Sequence, residues 1–125
     1  MQASVLIVED EPIFVEKVKD FLESRAVSCV SAENGHEALS FMRLYKPDAI
    51  LLDLQLPGSP NFTGIHVLKA AHELNPLMKV LVVTGLQGDE IEQECMRLGA
   101  VEVIHKPINL PTLASALTKL GVMPA

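Results

Sequence analysis

A three-layer, doubly wound α/β domain is the fold this sequence predicts, and three observations predict it. The chain has 125 residues, 49% of them apolar and 21% charged, which is one domain by length and enough to bury a core without covalent staples. Short aliphatic or β-branched runs alternate five times with amphipathic stretches, the pattern of strand followed by helix. Three of those runs are continuously apolar, as strands buried on both faces should be. Strands and helices alternating at this length imply parallel strands joined by right-handed crossovers.

The first run is Val5-Leu6-Ile7-Val8, and Pro12 behind it suits the first turn of a helix. Phe14, Val18, Phe21 and Leu22 then fall at i, i+4, i+7 and i+8, a helical stripe. The second run is Val27-Ser28-Cys29-Val30, followed by Asn34-Gly35 at a helix start and a stripe of Ala38, Phe41, Met42 and Tyr45. The third run, Ala49-Ile50-Leu51-Leu52, leads into a long loop, and Gly64 opens the third helix. The fourth, Val80-Leu81-Val82-Val83, precedes Gly88-Asp89 and an acidic helix to about Leu98 that reads as weakly amphipathic. The fifth, Val101-Glu102-Val103-Ile104, precedes a last helix whose apolar face is Leu110, Leu113, Ala114, Leu117 and Leu120. Tyr45 and the methionines are expected in the core or at its rim.

Ten basic against sixteen acidic residues give a net charge of −6, which argues against a domain that grips nucleic acid or an anionic membrane by itself. No apolar run approaches a membrane span, and Met1-Gln2-Ala3-Ser4 has neither a basic flank nor a cleavage site. The expectation is a soluble, cytoplasmic protein. Cys29 and Cys95 fit neither a redox nor a zinc spacing, so both are expected as buried thiols in a reducing compartment. His36, His66, His72 and His105 show no metal or catalytic spacing and are expected at the surface or an edge.

In a doubly wound sheet, ligands bind beyond the carboxyl ends of the strands, so the residues ending each run carry the chemistry. The first ends in Glu9-Asp10-Glu11, the third in Asp53, the fourth in Thr84-Gly85 and the fifth in Lys106-Pro107. Two carboxylates about 5 Å apart repel by on the order of 3 kcal/mol at an effective dielectric of about 20, before solvent relaxation. A divalent cation relieves that repulsion, and an oxygen-only donor set suits Mg²⁺ or Mn²⁺ better than zinc. A cation beside one carboxylate, with Lys106 and Thr84 opposite, can hold a transferring phosphoryl group, which makes Asp53 a candidate covalent acceptor. Separately, an acidic turn, a capping aspartate or a Lys-Pro loop is commonplace; their joint occurrence in register is not.

These residues sit in five motifs: V-E-D-E-P at 8–12, L-L-D-L-Q-L-P-G at 51–58, V-V-T-G at 82–85, L-G-A at 98–100 and H-K-P at 105–107. All five in this order resemble the response-regulator receiver domains of two-component systems, the family of the chemotaxis-type regulators, over nearly the whole chain. The resemblance implies one (βα)5 receiver, or phosphoacceptor, domain over residues 1–125 with strand order 2-1-3-4-5. It implies Asp53 as the phosphoacceptor, with Glu9, Asp10, Asp53 and the main-chain carbonyl of Gln55 around Mg²⁺. It further implies Thr84 and Lys106 as phosphoryl contacts, a cis Lys106-Pro107 bond, and Gln55 and Leu86 flanking the hydrolytic water. The phosphoryl group would come from a phosphohistidine of a sensor histidine kinase or histidine phosphotransfer protein. The mark would switch a surface of the fourth helix, fifth strand and fifth helix, with no metabolic enzyme activity and no direct nucleic acid or membrane binding.

Two departures stand out. Val103 occupies the position where the family often carries a switching aromatic, which argues against that rotation here. The loop from Pro57 to Gly64 is about three residues longer than the family's usual spacing, and loops beside a site often set partner choice. Three other readings compete. A haloacid-dehalogenase-like phosphatase needs an acid two residues after the nucleophile, where Gln55 stands. A flavodoxin-like binder would find its flavin phosphate repelled by Glu9-Asp10-Glu11. A degenerate receiver serving only as an interaction module would not need the complete acidic, Thr and Lys set.

Overall fold

The computed structural model describes residues 3–58 and 63–123. Ten elements follow in strict alternation: β1 (Ser4–Val8), α1 (Pro12–Ser24), β2 (Ser28–Ala32), α2 (Gly35–Tyr45), β3 (Ala49–Leu52), α3 (Gly64–Leu74), β4 (Lys79–Thr84), α4 (Asp89–Arg97), β5 (Glu102–His105) and α5 (Leu110–Lys119). The strands are all parallel, in the order β2-β1-β3-β4-β5. This is the doubly wound sheet that the alternation predicts.

The apolar runs are continuous because each strand feeds two cores, its side chains alternating between the faces of the sheet. Val5, Ile7, Leu51, Leu81 and Val83 face α1 and α5, where they pack with Val18, Leu22, Leu113 and Leu117. Leu6, Val8, Ile50, Leu52, Val80 and Val82 face the other layer, with Ala38, Met42, Val67, Leu68 and Cys95. Helix starts follow side-chain chemistry: the Asn34 Oδ1 accepts the Glu37 N–H at 2.9 Å, and the Asn109 Oδ1 accepts that of Thr112 at 2.8 Å.

Several expectations need correction. Strand β2 begins at Ser28, and the buried Val27 belongs to the turn before it. Because β2 is an edge strand, Cys29 is half-buried rather than buried, whereas Cys95 is fully enclosed. Partial burial, with Glu23 adding and Lys19 opposing, still pushes the Cys29 thiol up to about 11, so it is unreactive at neutral pH. Helix α4 is sharply two-faced: Ile91 and Cys95, with Leu98 just beyond its end, form a narrow apolar stripe against the sheet, and apart from Met96 the rest is polar. Met96 lies half-exposed on its outer side, and Tyr45 sits at the rim, edge-on to Phe41 at 5.4 Å between ring centres. The lengthened loop before Gly64 falls partly on residues 59–62, outside the described residues.

No helix among the described residues is long and apolar enough to cross a membrane.

Candidate functional site

The carboxyl ends of β1, β3, β4 and β5 bring most of the sequence-predicted set together. Among the described residues the buried polar side chains are Glu9, Asp53 and Thr84, exposed by 3%, 6% and 0%. Buried carboxylates require partners, and both have them. The Glu9 Oε2 accepts the N–H groups of Asp10 and Glu11 at 3.0 and 3.3 Å, and its Oε1 pairs closely with the Lys106 ammonium. The Asp53 Oδ1 accepts the Gln55 N–H at 3.0 Å, while its Oδ2 lies 3.4 Å from the Lys106 Nζ. One carboxylate oxygen from each of Glu9, Asp10 and Asp53 lies within 4.8 Å of the others, and of the three Glu9 and Asp53 are paired with the Lys106 ammonium.

Backbone ties hold this cluster in place. The Glu9 N–H donates to the Ala32 carbonyl at 2.9 Å, that of Asp53 to Val8 at 3.0 Å and that of Lys106 to Thr84 at 2.8 Å. The Lys106–Pro107 peptide is cis, as the resemblance implies. Burial pulls the Lys106 pKa down, but the Glu9 hydrogen bond and the charges of Asp53 and Glu9 outweigh it, leaving the group above its ordinary value. Oxygen donors without His or Cys at this spacing fit a hard divalent cation such as Mg²⁺.

Thr84 stands apart. Its hydroxyl accepts the Leu86 N–H at 3.1 Å, which ties it to the loop entering α4 rather than to the carboxylates. Gln55 contributes its N–H to Asp53, and its side chain is exposed.

Comparisons with known proteins show the family. The family model for the response regulator receiver domain matches residues 5–118. This chain belongs to that family. The polar-differentiation response regulator DivK of Brucella anthropi is 35% identical over 89% of this chain and 89% of its own length. A cyclic di-GMP phosphodiesterase of Thermotoga maritima is 36% identical over 92% of this chain, which spans only 30% of that relative's length. A CheY-like response regulator receiver domain protein of Methanospirillum hungatei has 29% identity and a TM-score of 0.89, with 97% of this chain and 95% of that one covered. The receiver fold and its strand order are thereby established for this chain as well.

Two contributors to the receiver's site, and one residue outside it that faces α4, escaped the sequence reading. Phe14 looks like an ordinary member of a helical stripe, yet the Lys106 Nζ lies over its ring, 4.7 Å from the centroid, within cation–π reach. Gly64 opens α3 directly beneath the Asp53 backbone, its N–H donating to the Leu54 carbonyl at 3.3 Å. His105 faces α4 from the end of β5 and bonds across to it. His105 and His72 are half-buried, His72 lying on the Leu68 and Met78 carbonyls; His36 and His66 are at the surface, where the His66 Nδ1 accepts the Thr63 N–H at 3.0 Å.

Proposed function

We propose that this receiver accepts a phosphoryl group on Asp53 from a phosphohistidine of a sensor histidine kinase or histidine phosphotransfer protein. The observation that carries this reading is the cluster of Glu9, Asp10 and Asp53 at the carboxyl edge of the sheet, with the Lys106 ammonium on Glu9 and Asp53. An Asp53 carboxylate oxygen attacks phosphorus, the phosphorus–nitrogen bond of the donor breaks, and the imidazole departs with the electron pair and takes up a proton. Mg²⁺, held by Glu9, Asp10, Asp53 and the Gln55 carbonyl, would neutralise the crowded charge and the phosphoryl oxygens. Lys106 supplies a fixed positive charge and Thr84 a hydroxyl donor to the same oxygens. The chemistry is self-catalysed signalling, and the surface it switches is α4, β5 and α5.

The test uses acetyl phosphate as a small donor. Intact-mass measurement is expected to find one added phosphoryl group with Mg²⁺ and none with chelator, and Asp53→Asn is expected to abolish it. Hydride reduction of the acyl phosphate followed by peptide mapping should locate it at Asp53. An adduct that forms in chelator, or that survives in the variant, overturns the assignment.

The donor's approach is suggested by a groove of about 480 Å³ between α1 and the segment after β5, floored by Phe14, Val18, Ile108 and Leu110 and sharing Lys106 with the site. Ile13 stands at its rim, 77% exposed, and suits the apolar face of a partner helix that presents a histidine. Burying such a side chain is worth roughly 1.5–3 kcal/mol, or about tenfold or more in affinity. Ile13→Glu is therefore expected to slow transfer from a kinase or phosphotransfer protein that phosphorylates the native chain by about tenfold or more. Its acetyl phosphate reaction should be unchanged, and equal loss with both donors would remove Ile13 from the docking surface.

A further inference from the structure

His105 is held on two sides by groups that can only accept. Its Nδ1 lies 2.8 Å from the Leu86 carbonyl oxygen, and its Nε2 makes a close contact with the Glu92 carboxylate. A neutral imidazole carries one N–H and can satisfy one of these; satisfying both requires the imidazolium. The raised pKa of His105 agrees, being driven first by the Glu92 hydrogen bond, opposed by burial and aided by the Leu86 carbonyl. Glu92 is the charged group that α4 turns toward it. From β4 its register partner is Thr84, Lys106 follows it in the chain, and Glu102 lies on the other face of β5.

The position of this ring matters more than its charge. Leu86 is the residue whose N–H binds the Thr84 hydroxyl, so one side of the imidazolium grips the loop that Thr84 would drag. The other side grips α4, whose buried anchorage is Cys95 alone with Ile91 packed beside it. Among the described residues, the Glu92–His105 bond is the only side-chain hydrogen bond from α4 to another element; the Arg97–Glu94 pair stays within the helix. Val103, two residues earlier on the same face of β5, has no ring to swing.

We propose that His105 is the positioning residue that couples Thr84 to α4 in this receiver. It holds Leu86 and Glu92 at once, so a displacement of Thr84 toward a phosphoryl group carries the helix with it. This rests on the reading that Thr84 responds to the phosphoryl group, and the experiment separates the two. Amide NMR shifts are read for the native chain with Mg²⁺, before and after addition of beryllofluoride as a phosphoryl mimic. Asp53, Gln55 and Thr84 report the site, and Ile91 to Arg97 report α4.

In the native protein both groups are expected to move. In His105→Ala and in Glu92→Ala, which leaves the Leu86 contact intact, the site response should persist while the α4 response falls to less than half. The native α4 response should also fade as pH rises through the His105 midpoint, followed on its own ring carbon, because deprotonation removes one of the two donors; the site response should not. An α4 response of native size in Glu92→Ala, or one that ignores the His105 titration, overturns the coupling. Site amides that fail to move in the native chain overturn the phosphoacceptor reading and the coupling with it. Should His105→Ala not fold, Glu92→Ala, a change on a substantially exposed helix position, decides alone.

Discussion

Gly64→Ala is expected to destabilise the domain by about 3 kcal/mol and to slow phosphorylation of Asp53 by on the order of 100-fold. A methyl group at this position would lie 2.6 Å from the Asp53 carbonyl oxygen and closer still to the Leu54 Cα, with the Leu54 carbonyl carbon at 3.0 Å. All three are backbone atoms, so no side-chain rotation relieves the clash, and the cost falls at the upper end of the ~1–3 kcal/mol of ordinary overpacking. The strand end or the start of α3 must shift instead, and a displacement near 1 Å at a reacting group costs about a hundredfold in rate. Gly85→Ala is the control: its methyl would meet only the flexible Gln55 side chain, at 3.4 Å, and should change stability by less than ~1 kcal/mol. Urea unfolding of the two variants checks the difference, and equal stabilities would show that the close approach of α3 to Asp53 is not required.

How much of this site was legible in the sequence follows from what periodicity can report. Glu9, Asp10, Asp53, Thr84 and Lys106 each follow an apolar run, and parallel strands put all such ends on one edge, so the members were readable without coordinates. Their pairing was not. That Lys106 sits on Glu9 more closely than on Asp53 depends on side-chain reach across β1, β3 and β5. Phe14 shows the same limit from the other side: a stripe identifies which face of α1 is buried, but not that the ring at its end meets an ammonium. Cys29 appeared buried because an apolar run gives no sign of being at the sheet edge; that follows from strand order, which here came from resemblance. His105 looked incidental because the second half of its contact, Glu92, is thirteen residues away on an element whose docking no local pattern fixes. The narrow stripe of α4 was undervalued because acidic residues outnumber apolar ones there, although spacing rather than count decides amphipathicity.

Lys106→Ala is expected to destabilise the metal-free receiver by about 2 kcal/mol and to slow phosphorylation by acetyl phosphate by on the order of 100-fold. Removing one partner of a buried ion pair costs about 3–5 kcal/mol because the remaining charge is left uncompensated. Here the figure is discounted, since the lysine side chain is 21% exposed and Glu9 keeps the two N–H groups of Asp10 and Glu11. The sign with pH follows from the raised Lys106 pKa. Its contribution is complete below the unfolded lysine value of about 10.4 and is lost only as pH rises through the still higher folded value, so the gap from the native protein should stay flat from neutral pH to about 9. Divalent metal should narrow the stability gap between the two proteins. With the ammonium gone, Glu9, Asp10 and Asp53 offer a more negative site, so millimolar Mg²⁺ should stabilise Lys106→Ala more than the native chain, by mass action on the folded state. The phosphorylation defect should remain, because a cation near the carboxylates does not replace the charge that Lys106 presents to the phosphoryl oxygens in the proposed mechanism. Urea unfolding in chelator and in Mg²⁺, with intact-mass kinetics alongside, reads all of these effects. If Mg²⁺ stabilises the variant less than the native protein, the three carboxylates do not act as one metal-binding cluster.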